Sequence, residues 1–192
     1  MNRALGFRVK SGWAAAVLLT GSADSPQLLG RRIIELCDPA VPGSRQPYHA
    51  KMSTLQTDDA KIERLKQVIA KAAQNSVDAW LHDLQKDRKI QRAGLVVGSD
   101  IDPAKIANTH IRAHALEGRL FRTVLQEALE RQGVSCAIFV ERKIYEQAVA
   151  IFKRSEKDLK QSLTQLGRST DGSWRGDDKL AALSAWLQLI DS

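Results

Sequence analysis

Hydrophobic and polar positions alternate at the start of the chain, where Leu5, Phe7 and Val9 are interleaved with Gly6, Arg8 and Lys10. Period two predicts a strand over residues 4–10. Ser11-Gly12 then supplies a turn short enough for a hairpin into a second strand over 12–20. After the breaker-rich stretch 21–26, a β-branched run around Ile33-Ile34 predicts a third strand over 29–37. A loop from Pro39 to about Leu55 carries Pro42, Gly43 and Pro47 and contains Tyr48-His49. The period then changes: Ile62, Leu65, Ile69, Ala72, Val77, Trp80 and Leu84 recur every three to five positions, so a long helix follows a cap at Thr57-Asp58. Residues 93–97 form a continuous apolar run, as expected of a strand covered on both faces. Asp102-Pro103 opens a helical pattern that continues to Gln132 and is interrupted near Asn108-Thr109. A fifth strand over 134–140, one helix over 145–166, a Gly/Ser/Asp stretch and a last helix over 177–190 complete the order β-β-β-α-β-α-β-α, with the last two helices following one another. The prediction is α/β, one domain spanning 1–192, with right-handed crossovers placing the helices on the sheet faces.

Composition adds little to the fold but bounds the function. With 43% hydrophobic and 27% charged residues among 192, the chain is neither disordered nor of low complexity. A formal charge of +7 fits nucleic acid or another polyanion as partner, and equally a solvated lysine- and arginine-rich surface. Cys37 and Cys136 sit singly in apolar runs, without zinc-site or disulfide-scaffold spacing, which points to a reducing, cytoplasmic setting. Arg3, Arg8 and Lys10 ahead of the apolar run 13–19 also fit a short export signal, but the alternation in residues 5–10 favours a strand. No run approaches the ~20 apolar residues of a membrane helix.

The element order resembles the ribonuclease H-like superfamily, in particular its Holliday-junction-resolvase-like branch, over nearly the whole chain. The resemblance implies three antiparallel strands followed by two parallel strands, with helices on both faces. It also implies nucleic-acid binding or processing, and carboxylates holding Mg2+ or Mn2+. Asp100 and Asp102, after the fourth strand, match one of the branch's acidic positions, and Asp177 and Asp178, opening the last helix, match another. The first strand has no acid and carries Arg8, a cation that opposes metal binding. The metal set expected from this likeness is Asp100, Asp102 and Asp177, joined by His114 and Glu117. In a nuclease, Asp100, Glu117, Asp177 and Asp178 would hold metal, and His110 or His114 would move the proton.

The sharpest local feature is His110, His114 and Glu117, which fall within about 60° of arc on a helix turning ~100° per residue. In an open α/β sheet the start of that helix lies above the carboxyl edge of the strands, where ligands bind. Three readings stay open: a shared metal ion, a general base, or polar groups bonding one another to close the core. Gly118, within the same helix, signals either close packing on a strand or close approach of a ligand. Arg8, Arg112, Arg119, Trp174 and Arg175 are the candidate nucleic-acid contacts; Arg122 shares the helix of Arg112 and Arg119. Solvated arginines, and a tryptophan covering its helix end, are the plainer readings. Tyr48-His49 reads as an exposed pair that could also reach the same edge, and Ser99 lacks nucleophile-elbow spacing. Alternatives to nucleic-acid processing are a non-catalytic adaptor with a protein or nucleic-acid partner, and a hydrolase for small phosphorylated molecules.

Overall fold

Strand β1 (Asn2–Lys10) reverses into β2 (Trp13–Gly21) through Ser11 and Gly12, with Lys10 paired to Trp13. Gly12 takes φ +84°, a conformation that L side chains adopt only with strain. Strand β3 (Pro26–Glu35) runs antiparallel on β2, while β4 (Arg92–Val97) and β5 (Ser135–Val140) lie parallel to β1, giving the order β3-β2-β1-β4-β5. The sheet is thus ribonuclease H-like: three antiparallel strands followed by two parallel ones. The computed structural model describes residues 2–50, 54–84 and 90–190.

Alternation along β1 decides which core each side chain joins. Leu5, Phe7 and Val9 pack under helices α1 (Asp59–Leu84) and α2 (Thr109–Arg131). Ala4 faces the other core, built with α3 (Glu141–Phe152), α4 (Glu156–Leu166) and α5 (Gly176–Leu187). Helices therefore cover both faces. Helix α5 rests directly on the two central parallel strands, because Gly6 and Gly94, paired in register, present no side chains. A Cβ on Gly6 would lie 1.9 Å from the Ala181 carbonyl oxygen, and one on Gly94 would lie 2.6 Å from that of Ser184. Small residues on the helix, Ala181, Ser184 and Ala185, complete this close seam. The seam sets the first turn of α5 beside Arg8 near the end of β1.

Several boundaries differ from the sequence reading. Strand β3 begins at Pro26 and ends at Glu35, instead of covering 29–37. As an edge strand it tolerates a proline at its first position, where Pro26 pairs with Gly21. The single helix expected over 145–166 is two helices that start at Glu141 and break where Lys153 adopts φ +54°. Ser155 then caps α4 by accepting from the Asp158 N–H at 3.1 Å. Strand β5, though apolar in sequence, is the sheet edge and stays half-exposed. Among the described residues no helix is long and apolar enough to cross a membrane.

Candidate functional site at the carboxyl edge

A cleft of about 690 Å³ opens above the carboxyl ends of β1 and β4 and beside the first half of α2. Parallel neighbours whose chains leave in different directions create this hollow. Of the residues expected at a site, Arg8, Asp100, Asp102, His114 and Arg119 line it, together with Lys10, Gly118 and Arg122. Four cationic side chains and two carboxylates thus line it.

The carboxylates are already engaged. Asp100 is paired with Arg122. Asp102 caps the 3-10 turn Pro103–Lys105 by accepting from the Ala104 N–H at 3.2 Å, with Arg119 Nη1 3.8 Å away. Asp177 lies 3.2 Å from Lys10 Nζ and 3.8 Å from Arg8 Nε. Asp178 accepts from the Arg175 backbone N–H at 2.8 Å and so caps α5. Arg8 is buried; it is paired with Glu141 and donates through Nη1 to the Val9 carbonyl at 2.6 Å.

Several expected contacts have other work. Arg112 donates through Nε to the Ile106 carbonyl at 2.7 Å, holding the loop before α2, and does not line the cleft. Trp174 donates through Nε1 to the Leu163 carbonyl at 2.8 Å and lies over Gly167, so it covers the end of α4 instead of facing a base. Arg175 is exposed, donates to Ser173 Oγ at 3.1 Å and lies outside the cleft. Arg8 has its donors turned to the protein. Gly118 packs on no strand: a Cβ there would meet nothing within 4 Å.

Beside the cleft, three of the chain's four histidines meet. Asn108 starts α2 by accepting from the Ile111 N–H at 3.0 Å, and the next turns bring His110 Nε2 and His114 Nε2 to 3.2 Å. His49 arrives from the loop before α1, fixed by an antiparallel bridge to Leu55 and by its N–H donated to the Gln46 carbonyl. Its ring lies 4.5 Å from that of His114 and 5.4 Å from that of His110. Its Nδ1 sits 2.6 Å from Oε1 of Glu117, one proton bridging them. Glu117 is fully buried. Burial pushes its carboxyl above the usual range, opposed by the bonds from His49 and the Tyr48 backbone. Burial and the neighbouring His49 and His110 hold His114 below the ordinary imidazole value.

Among the described residues, His49, His110 and His114 are the group of three whose donor atoms come within 4.8 Å of one another. The expected metal set, Asp100, Asp102, His114, Glu117 and Asp177, is not gathered in that way. His49 was offered by the sequence chiefly as an exposed pair with Tyr48, whereas its side chain is only 8% exposed. The available signal was composition: four histidines, with two on one helix face and a third closing a proline-rich loop.

The sheet order and the placement of α5 make this a ribonuclease H-like fold of the Holliday-junction-resolvase kind. Among solved structures it is similar to RuvC of Thermus thermophilus, with TM-score 0.58 and 10% identity over 96% of this chain and 91% of that one. It is also similar to T. thermophilus RuvC in complex with a Holliday junction substrate, with TM-score 0.57 and 8% identity over 97% and 91%. No protein-family model and no curated protein matches the sequence. The likeness is one of fold.

The family resemblance implies divalent cations on carboxylates. A pair of hard cations ~4 Å apart needs several unengaged carboxylates to offset their repulsion. Here an arginine stands on the first strand, already paired with Glu141 and close to Asp177, and Asp100 is paired with Arg122. These residues do not fit paired magnesium.

Proposed function

We propose that this chain binds nucleic acid through its phosphate backbone in the cleft at the carboxyl edge of the sheet. The observation carrying this reading is the cationic lining, in which Lys10 and Arg119 are the cations with most freedom to turn outward. Arg119 is 60% exposed, and its nearest carboxylate is 3.8 Å away. Lys10 sits at the rim, 36% exposed. Both can exchange a weak surface pair for a phosphate at little cost, since exposed ion pairs contribute at most ~1 kcal/mol. Arg8, paired with Glu141 and close to Asp177, does not itself reach a ligand. The resolvase-like fold supports a nucleic-acid partner by analogy. Free Cys37 and Cys136 suit the reducing cytoplasm.

Fluorescence anisotropy with a labelled DNA duplex and a labelled four-way junction tests the proposal. Binding should weaken steeply between 50 and 200 mM salt, and Lys10→Ala and Arg119→Ala should each reduce the log–log salt slope by about one. Absence of binding at low salt, or binding insensitive to salt, overturns it. A second reading, a small phosphorylated ligand, draws on the cleft volume of about 690 Å³, within the usual range for small-molecule pockets. Displacement of the labelled DNA by a mononucleotide at micromolar concentration would favour that reading.

A further inference from the structure

We propose that His49, His110 and His114 bind one late first-row transition-metal dication, Zn2+ being the reference, through one imidazole nitrogen each. This goes beyond the nucleic-acid reading and does not depend on it.

The spacing is suitable. Zn–N bonds of ~2.0–2.1 Å at tetrahedral angles put ligand nitrogens about 3.3–3.4 Å apart. His110 Nε2 and His114 Nε2 are 3.2 Å apart, and the three residues' donor atoms all lie within 4.8 Å of one another. Small rotations of two exposed side chains close the remaining gap. His110 and His114 project from successive turns of one face of α2, so the helix itself holds them as a pair.

His49 is the independent observation. Its side chain is more than nine-tenths buried, and its Nε2 is buried with no hydrogen-bond partner. An orphaned ring nitrogen in such a place costs free energy that a bound cation would recover. The other nitrogen, Nδ1, is held at 2.6 Å by Glu117, the carboxylate–imidazole pairing that fixes ring orientation in metal sites and raises the basicity of the ligating nitrogen. Glu117, fully buried, is the positioning residue.

The chemistry of the donors selects the ion. Neutral imidazoles favour zinc, cobalt, nickel or copper, whereas magnesium and calcium require oxygen ligands. Three protein nitrogens leave a fourth position of a tetrahedral ion for water or an anionic oxygen. His114 also lines the cleft, so the three-histidine group adjoins the cationic side chains.

The test uses the full, untagged chain, stripped with EDTA. It is titrated with Zn2+ by calorimetry and with Co2+ by visible absorbance, where intense bands near 600 nm report tetrahedral nitrogen ligation. The expected result is one equivalent of either metal. His110→Ala and His114→Ala, both at exposed positions that leave the fold intact by circular dichroism, should each weaken binding at least tenfold. Glu117→Gln should weaken it by about tenfold to a hundredfold while retaining stoichiometry. His82→Ala, at the fourth histidine near the end of α1, should change nothing. No stoichiometric uptake by the parent chain, or unchanged affinity in His110→Ala and His114→Ala, overturns the proposal. Because the probe is the metal alone, this result is separable from the outcome of the DNA titration.

Discussion

Replacing Arg8 by methionine removes the one buried cation of the central sheet and keeps most of the stem volume. Arg8 is 5% exposed, is paired with Glu141, and donates to the Val9 carbonyl at 2.6 Å. Losing a charge-assisted hydrogen bond costs about 1.5–3 kcal/mol, and the fully buried limit for breaking an ion pair is about 3–5 kcal/mol. Glu141 and Asp177 are 43% and 32% exposed, so water partly replaces the guanidinium and the lower range applies. We expect Arg8→Met to cost about 2–3 kcal/mol, a Tm decrease of roughly 4–12 °C for a chain of this size. Adding Glu141→Gln should return about 1 kcal/mol, because the double variant no longer strands a carboxylate. Urea denaturation of the parent, both single variants and the double variant gives the coupling directly. A change below ~0.5 kcal/mol in Arg8→Met, or strict additivity in the double variant, would refute the idea that the pair organises this edge.

Three further outcomes follow from the geometry. Gly6→Ala drives a methyl to 1.9 Å from the Ala181 carbonyl, so α5 must lift from the sheet; stability should fall by at least ~3 kcal/mol, and an unchanged thermal midpoint would show the seam is looser than described. Gly118→Ala meets open space in mid-helix and should stabilise the protein by up to ~1 kcal/mol in denaturant titrations, whereas a loss would mean the position is packed. Burial pushes the Cys136 thiol up to about 12 and also raises Cys37, so the thiolate fraction of Cys136 at pH 8 is on the order of 10⁻⁴. Native protein should resist iodoacetamide at that pH and take up two labels only after unfolding, as read by mass spectrometry; rapid native labelling would contradict the burial.

Elements whose signals lie within themselves were legible in the sequence. The apolar run of β4 and the repeat from Ile62 to Trp80 of α1 each read out a single face or a single buried segment, and local periodicity suffices for that. The break between α3 and α4 escaped because the chain turns there through Lys153 at positive φ, with no glycine to mark it; Ser155 and Asp158, a capping pair, were the readable sign. Strand β3 begins three residues before its sequence signal because Pro26 has the signature of a loop, and only its edge position makes a proline acceptable there. His110, His114 and Glu117 emerged as a helical stripe. Their partner His49 did not, since its bond to Glu117 spans 68 positions and depends on where a proline-rich loop folds back. The same holds for Arg8 and Glu141, 133 residues apart. Periodicity links residues within an element and is silent about which elements meet.

The sign of the charge on β1 sets the charge balance of this edge. A carboxylate among Asp177, Glu141 and Asp100 would accumulate negative charge that only bound cations could balance. An arginine at residue 8 balances it internally, and Arg122 does the same for Asp100, so these acids are held by cations of the protein itself. Lys10 and Arg119 remain the more exposed cations of the cleft, the feature on which the proposed polyanion binding rests. A candidate group for a metal ion lies outside the acid set. The described residues offer nitrogen donors for it, on the α2 side of the same cleft, where a fully buried carboxylate orients the one histidine that has no other partner for its second nitrogen. The two centres are separable by mutation, because Lys10 stands on β1 at the cleft rim while His110 stands on α2 and does not line the cleft. Weakened DNA binding with metal uptake intact in Lys10→Ala, and weakened metal uptake with DNA binding intact in His110→Ala, is therefore the pattern this arrangement requires.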